Sequence, residues 1–401
     1  MSQPCDGRHD VTALAALVPD QTGAEIFAQV LTAGPISRTV IARRLGLSPS
    51  TVTRLLSPLI EDGYLSETGQ QSASGLGRPQ RLLRVNTEQH LVVGIQIART
   101  HVAAVLTDLG ARPLFRLEHL LDSLEPAHVL SVAAELTARL VAQAPSADAR
   151  VLGVGVGVGG HVDAVSGVCR SAVRLGWTDV AVAAPLSAAT GLPVVVNNDV
   201  DALVVAERWF GEGRDVDSFA VISVGRGVGG ALMLRGVLYS GVGGLAVEFG
   251  HLPIEPNGPD CACGNRGCVE ALASSDAVLR MFREAGGRPE ADYDAVAELA
   301  RSGPEAERRA ALDAFVVAGD ALGRGLACLC NLLNPGLIVI AGEGVVAYEH
   351  FGPAMTAALE RHAVSTAARD CVIKVDEASE TLWARGAACL VIRESVRARL
   401  S

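Results

Sequence analysis

Positive charge is scarce in this 401-residue chain: Lys374 is the only lysine, arginine supplies the rest, and the formal net charge is −10. That balance excludes a protein that coats nucleic acid or membrane over its whole surface. Long apolar runs are missing too. The most apolar stretch, Val151 to Val158, is strand length and glycine-laced, so no membrane-spanning helix is expected and a buried parallel strand is. Met1 to Asp10 lacks a basic region followed by an apolar core, so secretion is not expected and the cytoplasm is the expected compartment. Nine cysteines do not form an obvious disulfide framework. Cys5, Cys169, Cys328, Cys330, Cys371 and Cys389 are scattered, mostly in apolar segments, and read as free thiols. With 49% hydrophobic residues the chain can bury two or three domains.

The other three cysteines cluster. Cys261, Cys263 and Cys268 lie in the glycine-rich run 258–268, and Gly250-His251 precedes them by ten residues. Soft thiolates and an imidazole separated by tight turns suit one structural zinc, and a closed four-ligand shell leaves no open position for chemistry. The expected ligands are His251, Cys261, Cys263 and Cys268.

Charge is uneven along the chain. From Ile36 to Val85 there are seven arginines (Arg38, Arg43, Arg44, Arg54, Arg78, Arg81, Arg84) against three acids (Glu61, Asp62, Glu67). The same segment reads as a helix-turn-helix. A first helix over Ala24 to Leu31 ends at Gly34-Pro35, Ser37 caps a second, and Ser48-Pro49 opens a third that runs to Ile60. On the third helix Val52, Leu55, Leu56 and Leu59 form the inward stripe. Ser48, Ser50, Thr51, Thr53 and Arg54 are left for a major groove. A polar hairpin over Ser66 to Val85 forms the wing, with Arg78 in Gly77-Arg78-Pro79 presented to a minor groove. The competing reading is a helical domain that packs on another protein. Residues 1–87 are therefore expected to bind DNA.

From about residue 88 strands alternate with amphipathic helices. Strands are expected at Leu91–Ile97, Val102–Asp108, Leu114–Leu117, Val151–Val158 and Pro193–Asn197, with a helix over Ala127–Ala144. A second set follows at Ser218–Ser223, Val228–Leu234 and after Val237, with a helix over Ala311–Leu333 and a strand at Leu337–Ala341. This is an α/β class of two similar lobes, about 88–200 with the C-terminal helix and about 201–385, with a ligand cleft between them.

Val247-Glu248-Phe249-Gly250-His251-Leu252, the cysteine run ending Cys268-Val269-Glu270, Asn198-Asp199 after a strand, and Gly225-Arg226-Gly227-Val228-Gly229-Gly230 together resemble the signature of the ROK family of repressors, open reading frames and kinases. The resemblance implies an actin-like, ribonuclease H-like sugar-kinase fold, and the winged head is a feature of that family's repressors. It further implies sugar contacts by Gly160, Asn198, Asp199, Glu248, His251 and Glu270, with Asp199 at the position of the kinase base and His251 serving both metal and sugar. Carboxylates and amides suit the vicinal hydroxyls of a pyranose.

The nucleotide side departs from that family's kinases. Where they carry Asp-x-Gly-Gly-Thr this chain has Gln96-Ile97-Ala98-Arg99-Thr100. Arg226 replaces the usual threonine of the second glycine loop, and Ala341-Gly342-Glu343 keeps one of two paired glycines. The expectation is a non-enzymatic sugar sensor, a repressor of carbohydrate genes acting on operator DNA as a homo-dimer or tetramer, with lobe closure resetting the spacing of the heads. The alternative is an ATP-dependent hexose or N-acetylhexosamine kinase with an accessory head.

Overall fold

Asp20 starts the first helix of the head by accepting hydrogen bonds from the backbone of Thr22 and Gly23 at 3.1 Å. The computed structural model describes residues 17–18, 20–71, 80–146, 148–376, 379 and 381–396, which divide into two compact units, 17–210 with 383–396 and 211–382. In the first unit α1 (Gln21–Ala33), β1 (Ile36–Ser37), α2 (Arg38–Leu45), α3 (Pro49–Glu61), β2 (Leu65–Gln71) and β3 (Gln80–Val85) build the head. Gly34 at φ +71° ends α1, and Gly46 in the left-handed region ends α2. Ser37 was expected only as a cap, and nothing was expected of Ile36 as a strand, yet Ile36–Ser37 forms β1. It pairs with Leu83 and Leu82, so the wing is a three-stranded sheet of order β1-β3-β2. Val52, Leu56 and Leu59 are buried as the stripe on α3 requires, with Leu55 half-buried. The expected wing tip, residues 72–79 with Arg78, lies outside the described residues.

The first lobe follows. Its main sheet contains β4 (His90–Ile97), β5 (His101–Asp108), β6 (Pro113–Leu120), and, after α4 (Pro126–Val141), β7 (Arg150–Val158). A small sheet, β8 (His161–Asp163), β9 (Val168–Ala172) and β10 (Trp177–Ala181), was not foreseen, because its strands are short and lack a clear alternation. Then come α5 (Ala183–Thr190), β11 (Val194–Asn198) and α6 (Asp199–Phe210). The main sheet runs β6-β5-β4-β7-β11, with β4, β7 and β11 parallel and β5 and β6 antiparallel to their neighbours.

Glycine decides how this sheet is covered. A Cβ on Gly94 would lie 1.9 Å from the carbonyl of Ala384, and one on Gly155 1.9 Å from that of Ala387. The C-terminal helix Leu382–Val396 therefore rests directly on strand backbone, through small residues. The glycine pattern of Val151–Val158 marks that seat.

The second unit repeats the plan. Its sheet contains β12 (Phe219–Val224), β13 (Val228–Leu234) and β14 (Val237–Leu238). After α7 (Val269–Ala273), α8 (Ser275–Glu284), α9 (Tyr293–Ser302) and α10 (Glu305–Leu333) come β15 (Leu337–Ala341), α11 (Tyr348–His362), α12 (Ala367–Asp370) and β16 (Val372–Val375). The order is β14-β13-β12-β15-β16. α10 is long and apolar enough by composition to cross a membrane, but Phe315, Ala318, Leu322 and Leu326 on it are buried in the core of this unit. α7, α8, α9, α11, α12 and β16 were missed by the sequence reading, as were α5 and α6 of the first lobe.

Candidate functional site

The cysteine run folds into a knuckle whose turns need glycine. Cys261 N–H donates to Asn265 O at 2.8 Å and Gly264 N–H to Cys261 O at 3.0 Å, while Gly264 and Gly267 have φ of +92° and +63°. His251 reaches the knuckle from a short turn, and its ligand atom and those of Cys261, Cys263 and Cys268 all lie within 4.8 Å of one another. The spacing tests the metal. Tetrahedral zinc with bonds of about 2.3 Å to sulfur and about 2.0–2.1 Å to nitrogen puts two sulfurs about 3.8 Å apart and sulfur about 3.5 Å from nitrogen. Cys263 Sγ is 3.7 Å from Cys268 Sγ, and Cys261 Sγ is 3.5 Å from His251 Nδ1. The donor set fits.

Burial pushes the Cys268 thiol up to about 12 and raises that of Cys261, whereas the backbone N–H of Asn265 lowers that of Cys263. A coordinated cation overrides these preferences by deprotonating its thiols. Arg324 on α10 secures the knuckle from behind, donating to Ile254 O and, at 3.1 Å, to Glu255 Oε2. An arginine inside a long helix carries no sequence signal for that role.

Two carboxylates flank the knuckle in the second unit. Cys268 immediately precedes α7, so Glu270 stands two residues after a metal-directed thiol, and its Oε2 accepts from Val228 N at 3.0 Å. Glu248 Oε2 lies 4.0 Å from His251 Nε2, the ring nitrogen that points away from the cysteines. Glu248 itself has φ −67° and ψ 59°, and Phe249 N–H donates across it to Val247 O at 2.6 Å, an inverse γ-turn. Val247 before it has φ +60°, a strained value for a β-branched residue. Phe249, 2% exposed, anchors the turn with about 1.5–3 kcal/mol of burial.

The other residues expected to contact a sugar, Gly160, Asn198 and Asp199, lie in the first unit, where β11 runs into α6. Asn198 Nδ2 donates to Gly160 O at 2.9 Å, and Asn198 Oδ1 accepts from Val200 N at 2.8 Å and Asp201 N at 3.3 Å. Gly160 has φ +121°, which only glycine adopts easily. Asn198 therefore holds the Gly160 loop and the start of α6 together, a structural duty the sequence reading did not assign. Asp199 Oδ2 lies over Gly159, where a Cβ would meet it at 3.3 Å. The structure thus groups Gly160, Asn198 and Asp199 in one unit and Glu248, His251 and Glu270 in the other.

On the head, Ser48 caps α3, accepting from Thr51 N at 3.1 Å, and its Oγ lies 2.8 Å from the hydroxyls of both Ser50 and Thr51. Thr53 Oγ1 donates to Pro49 O at 2.9 Å. Ser50, Thr53 and Arg54 are exposed, and Thr51 is half-buried. The basic count needs refinement. Glu67 pairs with Arg38 at 2.6 Å and with Arg81 at 2.5 Å, so two of the seven arginines brace the wing.

A model of the ROK family matches residues 92–394, and a model of winged helix-turn-helix DNA-binding domains matches residues 20–66. The xylose repressor of Caldicellulosiruptor bescii is 29% identical over 321 residues, covering 77% of this chain and 79% of its own length. A crystal structure of a ROK family transcriptional regulator, a homolog of the E. coli MLC protein, superposes with a TM-score of 0.78 at 26% identity, over 93% of this chain and 96% of its own. A ROK family glucokinase from Streptomyces griseus in complex with glucose and AMPPNP gives a TM-score of 0.64 at 26% identity, over 75% of this chain and 98% of its own. The family match takes in the sheets of both lobes, the glycine turn after β12 and the four metal-directed residues, and this chain belongs to the ROK family.

Proposed function

We propose that this chain is a sugar-responsive transcriptional repressor of carbohydrate genes. Residues 1–87 bind operator DNA, and residues 88–401 bind a sugar or sugar derivative without phosphorylating it. The observation that carries the reading is one chain joining a capped α3, exposed at Ser50 and Arg54, to a body of the ROK family. The likeness to a regulator over 93% of the chain, against 75% for a glucokinase, supports it. Ser48, Ser50, Thr51, Thr53 and Arg54 on α3 and Arg78 of the wing are the DNA-directed residues. Gly160, Asn198 and Asp199 of the first unit, and Glu248, His251 and Glu270 of the second, are directed at sugar hydroxyls.

One zinc per chain is held by His251, Cys261, Cys263 and Cys268, and it supplies rigidity rather than chemistry. Anchoring His251 and the start of α7 fixes where Glu248 and Glu270 present their oxygens. The protein works in the cytoplasm as a homo-dimer or tetramer. Two recognition helices must stand about 34–36 Å apart to meet successive major grooves, so a small change of spacing on sugar binding releases DNA.

The test is a gel shift on operator fragments with a sugar panel chosen by thermal shift, where ligand at a hundred times its dissociation constant adds about 2.7 kcal/mol. Arg54→Ala should weaken operator binding and reduce the salt slope by about 1 while sugar affinity holds. An unaltered gel shift for both Arg54→Ala and Arg78→Ala removes the head from the mechanism. Asp199, retained at the start of α6 directly after β11, favours the competing reading of a sugar kinase. ADP release at about 1–100 s⁻¹ on any sugar of the panel would establish that reading instead.

A further inference from the structure

The turn between β12 and β13, Gly225-Arg226-Gly227, has the composition of an anion-binding nest, in which successive backbone N–H groups converge on a negative ligand. Here four backbone N–H groups in and beside the turn already have protein acceptors. Gly225 N–H donates to Gly227 O at 2.9 Å, Arg226 N–H to Glu343 Oε1 at 3.1 Å, Val228 N–H to Glu270 Oε2 at 3.0 Å and Gly229 N–H to Ser223 Oγ at 3.1 Å. Two of the four acceptors are carboxylates.

Glu343 arrives there by topology. β15 is the parallel neighbour of β12, with Ala341 opposite Ser223, so the turn after β15 lies beside the turn after β12. Glycines set the fit. Gly342 has φ +98°, and a Cβ on it would lie 2.5 Å from Val224 O; one on Gly344 would lie 2.8 Å from the same oxygen. A Cβ on Gly225 would fall 2.3 Å from Glu343 Oε1, the space the carboxylate occupies. Three glycines thus shape a seat that holds a negative oxygen against the turn.

We propose that Glu343 is a specificity-determining residue, a built-in anion that closes the glycine turn to the phosphates of nucleotides. This rests on the reading of the body as a domain that binds sugar without phosphoryl transfer, and it names the side chain that enforces it. An incoming phosphate meets the Glu343 charge and finds the Arg226 N–H already bonded. Removing the carboxylate frees that amide and opens the Gly225 space.

Isothermal titration of the full-length protein with MgATP, and separately with inorganic pyrophosphate, tests the assignment. Wild type should show no saturable binding. Glu343→Ala should bind both with saturation, at a concentration at least about tenfold below the highest at which wild type fails to saturate, and Glu343→Gln, which keeps an acceptor for Arg226 N–H but no charge, should bind more weakly than Glu343→Ala. Wild type that binds MgATP as tightly as the variants would overturn the proposal. So would binding that Glu343→Ala abolishes, which would make Glu343 part of a working nucleotide site. Thermal melting accompanies each variant, and if Glu343→Ala does not fold, Glu343→Gln decides: folded and no tighter than wild type, it refutes the charge barrier. Sugar-dependent release of operator DNA is measured on wild type alone, so the repressor reading and the role of Glu343 can fail independently.

Discussion

In the first lobe the strands run β6-β5-β4-β7-β11, and in the second β14-β13-β12-β15-β16. Each is a three-stranded antiparallel meander with two parallel strands added on the far side of its first strand. The corresponding first turns differ. In the first lobe it is Ala98-Arg99-Thr100, closed by Ala98 N–H to His101 O at 3.0 Å; in the second it is Gly225-Arg226-Gly227, beside the Glu343 carboxylate. The additions differ as well. The first lobe is roofed by the C-terminal helix on glycine backbone, whereas the second carries the Cys3His knuckle between β14 and α7. One topology accepts both because function resides in turns and insertions, which the ladder of strands leaves free to vary.

The sharpest way to break this pairing is to unmake the knuckle. Cys268→Ser removes a fully buried thiol from the donor set, and structural zinc in small domains contributes about 10–16 kcal/mol of apparent binding energy. Bound zinc should fall from one per chain to below detection, with the second lobe cleaved by protease while the first persists. Equimolar zinc in the purified variant would show that the cluster is not the site.

Gly155→Ala attacks the other lobe. Its new Cβ falls 1.9 Å from Ala387 O, and overpacking of this kind costs about 1–3 kcal/mol. Denaturant unfolding should shift for the first unit alone, with faster amide exchange in the C-terminal helix; unchanged exchange there would mean that the helix does not depend on the glycine seat. Asn198→Ala removes the cap of α6 and the hold on Gly160 O, a loss of about 1 kcal/mol, and should also weaken the sugar-induced thermal shift. Stability lost with the sugar response intact would leave Asn198 a cap and nothing more.

The smallest expected effect concerns the head. Hydrogen bonds from Arg81 and then Arg38 hold the Glu67 carboxyl below its ordinary value of 4.5. Because the folded value is the lower one, the stabilisation is present above 4.5 and is lost as pH falls through the folded value. Melting of the head followed down through that range should show an acid limb that Glu67→Gln flattens. An identical limb in the variant would place the acid sensitivity elsewhere.

The head was legible because local signals fix it: Ser37, Ser48 and Pro49 act on their own turn of helix, and Gly34 and Gly46 end theirs. The cysteine spacing was legible for the same reason, since a metal that needs four donors within one knuckle constrains neighbouring residues. β1 was not, because two residues become a strand only when Leu82 and Leu83, more than forty positions away, pair with them. The duties of Asn198, Arg324 and Glu67 were also hidden, since each depends on a partner brought in by the fold.

By itself the sequence determined the helix-turn-helix, the two α/β lobes and the four metal-directed side chains, all written in caps, periodicity and short-range spacing. Only the tertiary structure decided which polar and charged groups are engaged. It paired Arg38 and Arg81 with Glu67, joined Gly160 to Asn198, and set Glu343 against a glycine turn 117 positions earlier in the chain. Hydrogen bonds and ion pairs act over a few ångströms, and which distant groups come that close is settled by strand order and by where glycine lets backbones meet.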